Sequence, residues 1–461
     1  MLSNLIFFSF QSIFISLGFM TLFTLFISYF YDPGNEPILL ITFCLNIFVI
    51  FLINIFKNFK EVNNLRFIYI TLICWILIIV IGSIPLFELL KNKTFNEILF
   101  LVTSSVTTTG FIFSDYSSNS ITLSIWLSNL QIIGALYTIL SFVIYYSFFL
   151  NKYNKLIIIN KKSVVLLQVF FFIYLMLFTF CLNFSYYNFI DSYSLSSAIL
   201  SSGGITNNNS VFIRNNSNYY LLSFLIILSL LYLPFFLLGM SKKALKGSYK
   251  KILKRSLGLM LILGFLIFLF MVTASMSFIE NLYLVLSLIT TTGLLPTILE
   301  NNILLNEYNN YILFFLLLTC VGTFSGTSNG GLKINRLTLI FINIKEEFNK
   351  FLFQYKVKGV DIIKKGVSQN ELNSFYSLLG LGIIVVLLST LIINISGLSI
   401  ESAFFYSMAA LTNSGDGFIK LSTIKESLVP DFYFVLNILM ICGRFETIGY
   451  LLLFKKIFIK Y

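Results

Sequence analysis

The sequence predicts an all-α polytopic membrane protein, on three observations. Hydrophobic residues make up 57% of its 461 positions and charged residues 11%. Most of the apolar stretches are long enough to cross a bilayer and are separated by charged breaks. Four shorter apolar stretches share one residue pattern, which marks an internal repeat. This composition rules out a water-soluble fold, and at roughly 20 apolar residues per crossing it fills at most about a dozen spans. Histidine is absent, which removes imidazole acid–base catalysis, Ser-His-Asp triads, haem ligation by imidazole and the usual zinc sites.

The elements follow in order. The run at 4 to 30 is the first crossing, because no Lys or Arg precedes Lys57 and the run is too long for the apolar part of a signal peptide. Further crossings are expected at 38 to 56, 66 to 90, 121 to 150, 163 to 189, 218 to 240, 252 to 278, 307 to 344, 373 to 396 and 431 to 454. The stretches at 97 to 110, 191 to 204, 280 to 293 and 401 to 415 are too short to cross and are re-entrant candidates. With a cytoplasmic N-terminus, 25 of the 31 basic residues fall on the inner side, Lys333 among them. Lys91, Lys93, Arg214, Lys420 and Lys425 fall outside, and Arg444 lies within the last span beside Glu446. Positive-inside topology therefore accounts for the net charge of +12, and no basic stripe is left for nucleic acid. Cys44, Cys74, Cys181, Cys320 and Cys442 sit in hydrophobic runs at unrelated spacings and read as packed thiols.

The short stretches read EILFLVTSSVTTTG, DSYSLSSAILSSGG, ENLYLVLSLITTTG and ESAFFYSMAALTNSG. Each begins with a carboxylate and ends in hydroxyl or amide residues followed by glycine, and a small residue stands six before that glycine: Ser104, Ala198, Ser287 and Ala409. A carboxylate in the first turn favours the positive end of a helix. A helix of about ten residues spans about 15 Å, so its C-terminus stops near the middle of the bilayer. Unpaired carbonyls at that depth require a water- or ion-filled cavity, and four such turns around one axis would make an oxygen ring able to replace the hydration shell of a monovalent cation. Ser, Thr and Gly also mark helix contacts in membranes, and a single TTTG would read as packing. Four matched copies favour the filter.

These residues resemble the Trk/Ktr/HKT superfamily of potassium transporters. The resemblance rests on VTTTGFI (106 to 112), LSSGGIT (200 to 206), ITTTGLL (289 to 295), LTNSGDG (411 to 417), GTFSGTSNGGLKINRL (322 to 337) and GRFETIGYLLLF (443 to 454). It covers nearly the whole chain, and the two extra spans before the first repeat bring it nearest to the membrane subunit of a bacterial Trk system. It implies four helix–pore loop–helix repeats in pseudo-fourfold arrangement around one pore: an N-terminal two-helix segment at 1–60, then repeats at 61–160, 161–250, 251–345 and 346–461, the last including a cytoplasmic linker. The implied potassium filter is Thr108, Thr109, Gly110; Ser202, Gly203, Gly204; Thr291, Thr292, Gly293; and Asn413, Ser414, Gly415. The second copy carries two glycines, of which Gly204, followed like Gly110 and Gly293 by an apolar residue, is the choice for the filter glycine.

The segment from Gly322 to Gly331, with Gly326 and Gly330, sits in mid-span. Glycine costs ~1 kcal/mol per helical position relative to alanine, so the helix is expected to break there. The resemblance implies that this segment is an intramembrane gating loop and that Arg444 lies beneath the filter against it. A packing kink and a snorkelling arginine are the plainer readings. Asp416 is expected at the outer mouth, where it would raise the local cation concentration. The resemblance further implies potassium as the transported ion with no covalent cofactor, location in the bacterial cytoplasmic membrane, a homodimer, and a cytosolic nucleotide-binding regulatory ring. The basic regions 242 to 255 and 342 to 371 would dock that ring, since no glycine loop between strand and helix cradles phosphate in this chain. Two other functions compete: a secondary symporter coupled to H⁺ or Na⁺, and a lipid-modifying enzyme, for which the spans offer only Arg444 and Glu446. The reading is a transporter, not an enzyme.

Overall fold

A computed structural model of the chain describes residues 2–56, 64–112, 120–150, 160–185, 188–206, 216–240, isolated positions between 254 and 265, and residues 277–296, 311–352, 369–395, 397–421 and 432–444. The described elements are helical. The first three are α1 (Leu2–Tyr31), α2 (Glu36–Phe56) and α3 (Asn64–Leu89). Next come α4 (Phe95–Val106), α5 (Ile121–Leu150), α6 (Lys161–Asn183), α7 (Phe189–Ser201) and α8 (Asn216–Met240). The second half holds α9 (Phe278–Ile289), α10 (Ile312–Val321), α11 (Ile334–Leu352), α12 (Gln369–Ile395), α13 (Ile400–Thr412), α14 (Gly415–Leu421) and α15 (Tyr433–Arg444). Among the described residues, Leu5–Tyr31, Glu36–Ile55, Arg66–Leu89, Ile121–Ile144 and Lys161–Asn183 are long and apolar enough to cross a membrane.

The four short stretches form α4, α7, α9 and α13, each within a few residues of its expected start. Their N-termini are built as the carboxylates predict. Thr94 and Glu97 close a capping box, the Thr94 amide donating to Glu97 Oε2 over 2.7 Å. Ser277 and Glu280 repeat it, with the Ser277 amide 3.0 Å from Glu280 Oε2. Ser399 accepts from the Ser402 amide in front of Glu401, and Asp191 occupies the first turn of α7. Such caps satisfy amides that lipid would leave unpaired.

The crossing expected at 307 to 344 is broken, as the glycines predict: α10 ends at Val321 and α11 begins at Ile334. The crossing expected at 252 to 278 and the second half of the last one lie largely outside the described residues, as does Glu446. Helix α1 is built into the body of the protein. It packs on α2, α5 and α6 through buried polar contacts: Asn46 Nδ2 donates to the Phe14 carbonyl (2.7 Å), Gln168 Nε2 to Ser12 Oγ (3.0 Å) and Asn129 Nδ2 to the Met20 carbonyl (3.3 Å). Such bonds replace the hydrophobic effect as the source of helix specificity in lipid. Helices α2, α6 and α12 leave Phe48, Phe51, Leu177, Phe180, Leu388 and Leu391 exposed, which suits a hydrocarbon surround.

Candidate functional site

The four short helices end in one and the same turn. At Thr108, Ser202, Thr291 and Asn413 the backbone enters the left-handed region, with φ of 49°, 59°, 54° and 51°. The next residue donates its amide to the carbonyl five positions back: Thr109 to Ser104 (2.8 Å), Gly203 to Ala198, Thr292 to Ser287 and Ser414 to Ala409 (3.0 Å each). This is the Schellman closure of a helix C-terminus, and it gives the small residue six before the glycine its role as the acceptor in that closure. Left-handed backbone costs a non-glycine residue about 1–2 kcal/mol, and strain repeated at four equivalent points marks a functional site. Gly110, Gly204, Gly293 and Gly415 follow, again with positive φ. Gly204, and not Gly203, therefore stands in register with the other three.

The glycines interlock. A Cβ built on Gly110 would lie 2.7 Å from the Gly203 carbonyl oxygen, one on Gly204 2.5 Å from that of Thr292, and one on Gly293 3.1 Å from that of Ser414; on Gly415 it would collide with that of Thr109. Each glycine thus leans on the carbonyl just before the next repeat's glycine, and the fourth closes on the first. Thr109, Gly110, Gly204, Thr292, Gly293 and Ser414 line a cavity of ≈ 30 Å³, with Asp416 and Lys420 beside them. Half-buried Asp416 is anchored: its Oδ2 accepts from the Ile112 amide (2.7 Å).

The segment from Gly322 to Gly331 lies against these turns, bonded to three of them directly and tied to the first through Arg444. Ser328 Oγ donates to the Leu200 carbonyl (3.2 Å), the Gly330 amide to Thr291 Oγ1 (2.8 Å) and the Gly331 amide to the Thr412 carbonyl (3.1 Å). The fourth tie runs through buried Arg444, whose guanidinium donates to the carbonyls of Ser328, Thr107 and Thr108 and to Thr108 Oγ1. Arg444 is therefore held by carbonyls at the negative end of α4, not snorkelling. Gly330 could not carry a side chain, since a Cβ there would collide with the Thr412 carbonyl, and Gly322 and Gly331 pack against each other at the neck of the loop.

Two residues escaped the sequence reading. Lys333, counted with the inner-surface charges, is 4% exposed, and its Nζ donates to the carbonyls of Thr327 and Asn329 inside the loop. Its place next to the glycine run was the available signal. Gln131 on α5 is fully buried behind the second turn; an amide in an otherwise apolar stretch, two residues after Asn129, was its only sign.

Helical crossings, half-length helices and a central ring of turns define a polytopic membrane protein with re-entrant pore loops. The family model described as "TrkH: Cation transport protein" matches residues 303–459. The Trk system potassium uptake protein TrkH of Escherichia coli (strain K12) is 27% identical over 146 residues, 31% of this chain and 30% of that protein. TrkG of the same strain, also described as a Trk system potassium uptake protein, is 26% identical over 186 residues, 40% of this chain and 36% of that protein. The aligned parts thus span about a third of those relatives' length. The crystal structure of the potassium transporter TrkH from Vibrio parahaemolyticus superposes with a TM-score of 0.81 over 99% of both chains at 17% identity. The chain thus resembles TrkH in fold over its whole length and in sequence over residues 303–459.

Proposed function

We propose that the chain conducts potassium into the cell through a four-part carbonyl filter closed from one side by the loop at 322 to 331. The supporting observation is the closed ring, in which residues of the four left-handed turns line one small cavity and each repeat's glycine fits against its neighbour's carbonyl. Carbonyl rings of this kind replace the hydration shell of a monovalent cation. Ions would arrive past Asp416, dehydrate among the turns of Thr108 to Gly110, Ser202 to Gly204, Thr291 to Gly293 and Asn413 to Gly415, and be released when the loop withdraws. The driving force is the membrane potential, worth about 2.3 kcal/mol per charge per 100 mV. The loop, tied to all four turns, represents the closed gate.

In this reading the protein sits in the bacterial cytoplasmic membrane with its N-terminus inside, as a homodimer docked on a nucleotide-binding regulatory ring. The basic region 242 to 255 proposed for that contact lies almost wholly outside the described residues. In liposomes containing the purified chain, potassium and rubidium should move down their own gradients with no imposed H⁺ or Na⁺ gradient. Flux obligatorily coupled to either ion would overturn the channel reading in favour of symport.

A further inference from the structure

Gln131 belongs to the second crossing helix of the first repeat, yet its side-chain amide meets the second repeat's turn. What it does there becomes clear when the four turns are compared bond by bond. In the first repeat, Ser104 Oγ, six before the glycine, donates to the carbonyl of Phe111, one after it (2.9 Å). In the third, Ser287 Oγ donates to Leu294 in the same way (2.7 Å). The second repeat has Ala198 at that position, and the carbonyl of Ile205 receives Gln131 Nε2 instead (2.9 Å). The fourth also has an alanine, Ala409, but its chain continues from the glycine directly into α14, so helical bonding takes over.

A second difference lies beside it. Just before the glycine, the hydroxyls of Thr109, Thr292 and Ser414 pair with the hydroxyls two residues earlier, on Thr107 (2.8 Å), Thr290 (3.3 Å) and Thr412 (3.0 Å). The second repeat has Gly203 there and no hydroxyl. Ser201 Oγ, the equivalent of Thr107, donates to the Ser197 carbonyl (2.5 Å) and accepts from the Gly203 amide (3.2 Å), while Gln131 Oε1 lies 3.4 Å away in the space where a Cβ on Gly203 would collide with it. One amide from another helix thus supplies the donor that Ala198 lacks, in the space Gly203 leaves free. We propose that Gln131 is a positioning residue for cation selection, a side chain lent by the first repeat to complete the turn of the second.

The inference rests on the filter reading, and its test separates the two. Gln131→Leu keeps the volume and removes the bond to Ile205, and Gln131→Glu keeps the shape but loses the donor to Ile205. Both should lower the ratio of rubidium to sodium flux in liposomes by about tenfold, the size expected for leaving one buried carbonyl unpaired. The potassium concentration needed to protect the detergent-solubilised protein against heating should rise in step. The triple variant Gln131→Ala, Ala198→Ser, Gly203→Ser, which rebuilds the local arrangement of the third repeat, should restore both readouts. Loss of thermal stability with an unchanged flux ratio would reduce Gln131 to a packing residue and overturn the inference. So would a triple variant no better than Gln131→Ala alone. If Gly110→Ser and Gly293→Ser also leave the ratio unchanged, the filter reading itself has failed; if they lower it while the Gln131 variants do not, only the present inference has.

Discussion

Alanine at each of the four ring glycines should damage cation selection in a definite order: Gly415 worst, then Gly204, then Gly110, with Gly293 mildest. Every substitution places an L-residue at positive φ, from 58° at Gly415 to 90° at Gly110, which costs about 1–2 kcal/mol in the left-handed well. The added methyl sets the rest. At Gly293 it meets the Ser414 oxygen at 3.1 Å, a contact relieved by a few tenths of an ångström. At Gly110 and Gly204 it meets a carbonyl oxygen at 2.7 and 2.5 Å, and at Gly415 it collides with the Thr109 oxygen. Those oxygens are the proposed ion ligands, so the filter relaxes by turning them away. For Gly293→Ala the backbone strain alone, charged against ion binding, weakens potassium by about 5- to 30-fold, and the other three should lose more. The assay is the ratio of rubidium to sodium flux in liposomes, together with potassium-dependent protection against heating. Equal effects at Gly293 and Gly415, or unchanged ratios throughout, would refute the interlocked-ring argument.

Two other substitutions probe the gate and the mouth. Arg444→Gln removes the charged tie between the loop and the first turn, a group of bonds each worth about 1.5–3 kcal/mol, and should raise basal potassium flux about tenfold or more without changing the rubidium to sodium ratio; a folded variant with unaltered basal flux would refute the latch. Asp416→Asn keeps an acceptor for the Ile112 amide but removes the charge, so it should lower inward flux most at low ionic strength, where fixed charges act furthest; a loss independent of salt would make Asp416 a structural anchor only.

The half-length helices were legible because their signals are local. A carboxylate opens each one, an acceptor and a left-handed residue close it, and glycine follows, all within fourteen or fifteen residues of sequence. The break between α10 and α11 was equally legible, since four glycines in ten residues leave no stable helix. What stayed hidden is written across the chain. Gln131 reaches Ile205 over a separation of 74 residues, and Ser328 reaches Leu200 over 128; no periodicity records either. Lys333 was misplaced for a related reason: it lies inside the crossing expected at 307 to 344 yet was counted with the inner charges, and its position in the sequence does not say whether it turns to water or back to the loop carbonyls. The polar face of α1, with Ser9, Ser12, Ser16, Thr21 and Thr24 all buried, was submerged in a run that hydropathy reads as uniformly apolar.

The attachment points of the loop bear on how opening would be felt. Leu200, Thr291, Thr412 and the pair Thr107 and Thr108 all lie within four residues before a ring glycine. Two of these positions, Thr108 and Thr291, are strained left-handed residues themselves. Withdrawal of the loop therefore removes a bond to the hydroxyl of Thr291 and loosens the guanidinium hold on Thr108, leaving those turns to be kept by their Schellman bonds and by the neighbour's glycine. Because each glycine rests on the next repeat's carbonyl, a turn cannot move alone. The second turn would lose its bond from Ser328 but keep the brace from Gln131, as the first and third would keep those from Ser104 and Ser287, so the carbonyl after each of these three glycines would stay held when the loop withdraws.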